Sequence, residues 1–448
     1  MAVSSLPRPR LPWQRRWLYR LLVLLGLYGV LELTSCCVYR CLEGKAFSFS
    51  HFQRQRQHMT HHEDVPLRES PSADFVPHPY LGYVLNPNFE NNHVRIPGRC
   101  GGLVSEYGFC DNRPPVLKRS PGKVIVGIVG GSLASFWTVE AARKLEKLLA
   151  QSPRFRGKQF EYVNLAVVAY KQPQPLIAVN YALALGAEFD ILLSIDGFNE
   201  VAMYALENQQ AGLFPMFPRF WPYLVATMPD PEIRRMAGKI AYLEDTRTQW
   251  ATLFHRAPLS WSVTANLIWQ LRDRRLTDEV ARTSAALGEY QPRLLPYCAV
   301  GPSRTWSSEA ELYQEMVAVW QRCSLQLAAI CKANGIAYYH FLQPNQYVPG
   351  SKPLGAEERK RAWEDNQCNK TSVEQGYPLL RRAGTELRRA GISFHDLTMI
   401  FRDHPEPIYI DTCCHVNVHG NELLTEAIAA AILETPEPPA ATAQRDRP

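Results

Sequence analysis

The chain has 448 residues, 46% of them hydrophobic and 21% charged, enough apolar material for one large domain or two ordinary ones. That balance excludes a disordered protein. The formal net charge of +6 is small for the length, and Lys and Arg are scattered rather than gathered opposite aromatic platforms, so nucleic acid is not an expected partner.

The first twenty residues carry Arg8, Arg10, Arg15, Arg16 and Arg20 with no acid, and an apolar run from Leu21 to Leu31 comes next. Counting Trp17 to Tyr39, with Arg20 and Glu32 snorkelling near the ends, gives roughly the 20 residues that a bilayer core requires. The basic side stays in the cytoplasm, which makes residues 1–42 a single-pass signal anchor and sends the rest of the chain across the membrane. Leu33-Thr34-Ser35-Cys36 offers a second reading, a lipoprotein acylated at Cys36, and a buried core helix is a third.

Residues 43–115 read as a polar juxtamembrane linker, containing His58, His61 and His62, followed by a loop-rich extension of aromatics, Pro and Gly. In an exported domain Cys100 and Cys110 bracket a loop short enough to close as a disulfide, although sequence does not fix connectivity. Small buried hydrophobes are the other reading of the cysteines.

From residue 116 the pattern alternates. Val124–Val129, Tyr162–Val168 and Ile191–Ile195 are β-prone, and the segments Thr138–Ala150 and Leu176–Leu185 between them are helical. Such an alternation predicts a parallel sheet. Residues 200–300 break the rhythm with Pro- and Trp-rich stretches and two amphipathic patterns near 232–254 and 262–287, read as a helical insertion. The alternation resumes with a helix Glu309–Asn334, a strand Ile336–Phe341, a helix near 371–390, a strand Ile392–Leu397 and a last helix Glu422–Leu433. The tail 433–448 has no periodicity and reads as disordered.

Chemistry concentrates at three junctions. Gly130-Gly131-Ser132 follows the first strand, so Ser132 stands at the sheet's C-terminal edge, where open α/β sheets bind ligands. Taken alone, this reads first as a tight turn with Ser132 capping a helix. Gly197-Phe198-Asn199-Glu200 follows the third strand, and Asp411-Thr412-Cys413-Cys414-His415 precedes the last helix. A Ser hydroxyl needs an imidazole to take its proton and a carboxylate to orient that imidazole. Ser132, His415 and Asp411 supply the three groups.

These ordered motifs resemble the GDSL/SGNH hydrolase superfamily over residues 116–432, interrupted by the insertion. The resemblance implies a three-layer, flavodoxin-like α/β fold with Ser132 as nucleophile, His415 as base and Asp411 as acid. It also implies an oxyanion site from Ser132 N–H, Asn199 and Ala169, with Gly131 allowing close approach. Three positions depart from the family pattern: Gly131 replaces its Asp, Ala169 its second-block Gly, and Asp411 lies four residues before the His instead of three.

Such an enzyme needs no cofactor or metal. Its substrate is an acyl ester, for example an O-acylated polysaccharide or a lipid at the cell envelope, and the insertion is a candidate cap whose aromatics are available to stack on sugars. O-acyl transfer, and a non-catalytic envelope assembly protein of the same fold, are the alternatives. A competing reading takes Cys413, Cys414, His415 and His419 as a metal cluster.

Overall fold

The computed structural model describes residues 13–60, 75–87, 104–111, 114–209, 212–219, 221, 224, 231–290, 300–302 and 304–435. The expectations for His61, His62, Cys100 and most of the tail fall outside these residues, as does the side chain of His58. In chain order, α1 (Trp13–Glu43) and α2 (Phe49–Thr60) precede a small antiparallel hairpin of β1 (Phe75–His78) and β2 (Gly82–Leu85). Then come β3 (Lys123–Gly130), α3 (Ser132–Leu149), β4 (Gln159–Asn164), α4 (Gln174–Ala184), β5 (Ile191–Asp196) and α5 (Phe198–Met203). Two long helices are next, α6 (Pro231–His255) and α7 (Val263–Glu289). The chain continues with α8 (Glu309–Ala333), β6 (Ala337–Leu342), α9 (Ala356–Ala362), α10 (Cys368–Arg389), β7 (Ser393–Asp396) and α11 (Val418–Glu434).

Two compact units result, Met1–Pro66 with Asp230–Arg293, and Leu67–Pro229 with Leu294–Pro448. In the first, α1 is long and apolar enough to cross a membrane, and most of its Leu and Val side chains are exposed. Helix α2 lies in the stretch read as a linker. It turns Phe52 into a cluster with Tyr39 and Trp269, and its Arg56 guanidinium reaches Asn266 Oδ1 at 2.5 Å and lies 5.1 Å from the Trp269 ring centre. Aromatic burial and cation–π stacking thus bind the N-terminal helices to α7.

In the second unit five parallel strands lie in the order β4-β3-β5-β6-β7. Successive β3 side chains face opposite layers. Ile125 and Val129 pack with Leu176 and Val179 of α4 and Leu327 of α8, while Val124, Val126 and Ile128 pack with Trp137 and Leu145 of α3 and Leu424 and Ile428 of α11. Helices therefore cover both faces of a parallel sheet, which is why β3 and β5 read as unbroken apolar runs. The direction of strand addition reverses between β3 and β5, leaving a crevice at their C-terminal ends.

The second sheet segment corrects one sequence expectation. Strand β4 ends at Asn164, paired with Ile128, and not at Val168. Leu165, Ala166 and Val167 are fully buried yet lie in a loop, where Asn164 Oδ1 accepts the Ala166 N–H at 3.1 Å. Their apolarity reflects burial over the sheet edge rather than strand pairing. Helix α11 likewise starts at Val418, four residues earlier than expected, because Asn417 Oδ1 caps it by accepting the Gly420 N–H at 2.9 Å.

Candidate active site

Strand β3 delivers the chain to the crevice through two glycines. Gly130 has φ +144°, a conformation that side chains resist, and a Cβ there would fall 2.1 Å from the Ile195 carbonyl oxygen. A Cβ on Gly131 would fall 2.1 Å from Asn199 Nδ2. Ser132 then opens α3 and is 6% exposed. As the first residue of an 18-residue helix it carries a backbone N–H with no partner in the helix, at the positive end of the dipole.

The imidazole comes from the other end of the unit. Ile408–Asn417 doubles back, with Tyr409 bridging Val416 and the Asn417 N–H bonding the Ile408 carbonyl at 2.8 Å. At the tip, His415 Nε2 lies 2.7 Å from Ser132 Oγ and His415 Nδ1 lies 2.5 Å from Asp411 Oδ2. The ring of Phe136, one turn along α3 from Ser132, lies 5.0 Å from the imidazole centre and packs against it.

The four-residue spacing of Asp411 and His415 is explained by the turn. Asp411 Oδ1 accepts the backbone N–H groups of Cys413, Cys414 and His415 at 3.0, 3.2 and 3.3 Å, while Oδ2 remains for the imidazole. Burial acts to raise the Asp411 carboxyl. The hydrogen bond and charge of His415, together with the backbone donors, outweigh it and hold the group below the ordinary carboxylate value.

Side-chain amides fix this loop from behind. Gln346 Nε2 donates to the Asp411 carbonyl at 3.0 Å, Asn369 Nδ2 to that of Thr412 at 3.2 Å and Asn345 Nδ2 to that of Cys413 at 3.0 Å. Below them the fully buried Glu358 accepts the Ile408 and Tyr409 N–H groups at 2.8 and 2.7 Å and pairs with Lys352 at 3.2 Å. The Lys352 pair apart, these supports carry no local sequence signal, since their partners are backbone atoms far along the chain.

Asn199 lies in the first turn of α5, after β5, and its Nδ2 donates to the Tyr170 carbonyl at 2.8 Å. One amide hydrogen is used there; the second is free to serve an oxyanion. Ala169, adjacent to Tyr170, has φ +63° and is the one non-glycine residue with positive φ among the described residues. Left-handed backbone costs an L-residue about 1–2 kcal/mol. The conformation expected of a glycine is thus adopted by an alanine.

Beneath Asn199 lies a buried polar network of which the motifs in the sequence single out only Glu200. Asp196 Oδ1 accepts Trp320 Nε1–H at 2.7 Å and lies 2.8 Å from His340 Nε2. Its Oδ2 accepts from Ser194 Oγ at 3.0 Å and Gln172 Nε2 at 3.2 Å. Glu200 accepts the N–H groups of Gln172 and Gly197 at 2.9 and 2.8 Å. Burial and the neighbouring Asp196 charge push Glu200 up to about 8. Burial opposes ionisation of Asp196 too, but His340, Trp320 and Gln172 hold it below its ordinary value. The signal available was polar residues in apolar strands: Ser194 within β5 and Asp196 at its end, and His340 within β6.

The structure therefore brings Ser132, His415 and Asp411 into one hydrogen-bonded chain, with Gly131, Asn199 and the Ala169–Tyr170 turn beside it. It divides the group of four residues read as a metal cluster. Both His415 nitrogens face Ser132 and Asp411, whereas His419 Nε2 pairs with Glu406 at 2.9 Å. The sulfur atoms of Cys413 and Cys414 lie 3.5 Å apart. No protein-family model matches the chain, and no curated protein matches it.

Proposed function

We propose that this chain is a serine acyl hydrolase of the SGNH type, held at the cell envelope by α1. The observation that carries the reading is the chain Asp411–His415–Ser132, with contacts of 2.5 and 2.7 Å, at the crevice between β3 and β5. The strand order, which reverses direction after the second sheet strand, supports the reading, since the resemblance implies a flavodoxin-like sheet.

In this reading Ser132 Oγ attacks the ester carbonyl as its proton passes to His415 Nε2, and Asp411 stabilises the imidazolium. The carbonyl π electrons move to oxygen, where Ser132 N–H, the free Asn199 amide hydrogen and Ala169 N–H receive the charge. Collapse expels the alkoxide, which takes the proton back from His415. Water, activated by the same imidazole, then releases the acid and restores Ser132. If a sugar hydroxyl replaces that water, the same steps transfer the acyl group. Membrane anchoring favours esters of envelope glycans or lipids, and the basic N-terminal flank of α1 supports a site of action outside the cytoplasm.

A fluorophosphonate probe applied to the full chain in membranes tests the reading. Wild type is expected to be labelled and Ser132→Ala and His415→Ala to be unlabelled. A folded wild type that takes no label favours the non-catalytic assembly protein.

A further inference from the structure

Glu32 is an acid about two thirds of the way along the helix proposed to cross the membrane, and the structure supplies it with partners. Its Oε1 accepts Ser262 Oγ–H at 2.6 Å and the Thr264 N–H at 3.3 Å, and its Oε2 accepts the Val263 N–H at 2.5 Å. These are the cap and first turn of α7, so the carboxylate sits on the positive end of a 27-residue helix. Contacts continue upward in step. Ser35 Oγ lies 2.9 Å from Thr264 Oγ1, Glu43 accepts Gln270 Nε2–H at 3.0 Å, and Glu43 pairs with Arg274. Helices α1 and α7 therefore run parallel in register, both rising in the same direction from the level of Glu32.

This register fixes the depth of the turn between α6 and α7. About 20 helical residues cross a hydrocarbon core. A span that begins at Trp17 therefore ends near Cys36, just beyond Glu32 and Ser35. The α6–α7 turn, residues 256–262, then lies at the level where α1 leaves the hydrocarbon. Its side chains suit that level: Trp261 is 74% exposed, Leu253 at the end of α6 is 52% exposed, and Arg256 beside them is exposed. An apolar ring with a polar edge and a flanking cation is the composition of a membrane interface.

We propose that the α6–α7 turn seats Trp261 and Leu253 in the headgroup layer of the bilayer that α1 crosses, as a second membrane contact in addition to the span. The inference rests on the reading of α1 as a membrane span and is independent of the acyl chemistry. Helix α7 then stands up from the surface, and Glu32 is satisfied by three hydrogen bonds near the membrane boundary instead of being left without donors there.

Photo-crosslinking of the full chain in vesicles of phosphatidylcholine and phosphatidylglycerol tests this. The residue p-benzoylphenylalanine is placed in turn at position 24 of α1, at 253, at 261, and at 242, where Tyr242 is 69% exposed further up α6. Lipid adducts at 24, 253 and 261 and none at 242 are expected, with Glu32→Leu causing loss of the adduct at 261 while that at 24 is kept. An adduct at 24 alone overturns the proposal and leaves the span intact. Equal adducts at 242 and 261 overturn it in favour of a hairpin lying flat. Absence of the adduct at 24 removes the span reading and the proposal with it.

Discussion

Gly131 is fixed by a neighbour rather than by its own backbone angles. The Asn199 amide occupies the space a side chain at 131 would need, and Asn199 is held there by the Tyr170 carbonyl. Gly131→Ala must displace the amide, so its effect is expected to match that of Asn199→Ala. Loss of one oxyanion donor costs about 10²–10³-fold in turnover. Ester hydrolysis by the two single variants and the double checks this: equal losses that do not add are expected, since both remove one group. A double variant whose loss is the product of the two separates the residues and overturns the coupling. Sequence made Ser132, Asn199 and His415 legible because each follows or precedes an element boundary of recognisable type. It left the acid in doubt, since the spacing of Asp411 makes sense only once three backbone N–H groups are seen to converge on one carboxylate oxygen.

At the scale of elements, β5 and α5 meet over two carboxyls with opposite tendencies. Glu200 has an ordinary value of 4.5 and stands at about 8 in the fold. Its neutral form is the one the fold favours, so its contribution to stability is complete below about pH 4.5 and is lost progressively as pH rises to about 8. Asp196, held low, contributes in the other sense, with stability present above its ordinary value of 3.8 and lost as pH falls below that. Thermal unfolding of the detergent-solubilised chain is therefore expected to show a midpoint that falls from pH 5 to 8 in wild type and is flatter over that range in Glu200→Gln. Parallel curves for the two proteins would remove Glu200 as the source. The strands of the parallel sheet and the long helices were legible because their apolar period survives in the sequence, whereas the β1–β2 hairpin lies in a stretch read as loop-rich. The loop after β4 was not, since Leu165–Val167 has the composition of a strand but, after one last bond from Leu165 N–H to the Ile128 carbonyl, turns away from the ladder into local bonds and burial.

For the whole molecule, the candidate triad and the long apolar helix fall in different units. The sheet unit carries the candidate triad, and the helical unit combines the N-terminal helices with residues 230–293, which the chain supplies more than a hundred residues later. No sequence period reports that pairing, because it rests on single contacts such as Glu32 with Val263 and Arg56 with Asn266. The basic flank of α1 predicts the orientation. Protease added to intact cells is expected to remove a tag at the C-terminus and to spare one at the N-terminus, and the reverse pattern would invert the topology.

The contact between position 131 and Asn199 also has a consequence for descent. Two positions in different strand-to-helix turns are coupled by volume in this chain, so a side chain at 131, such as the Asp of the family pattern, requires the amide at 199 to be seated differently. Among relatives that keep this seat for the amide, glycine at 131 and asparagine at 199 are expected to occur together. A Gly-Gly-Ser tripeptide paired with a downstream Gly-x-Asn-Glu would then mark the lineage better than either alone.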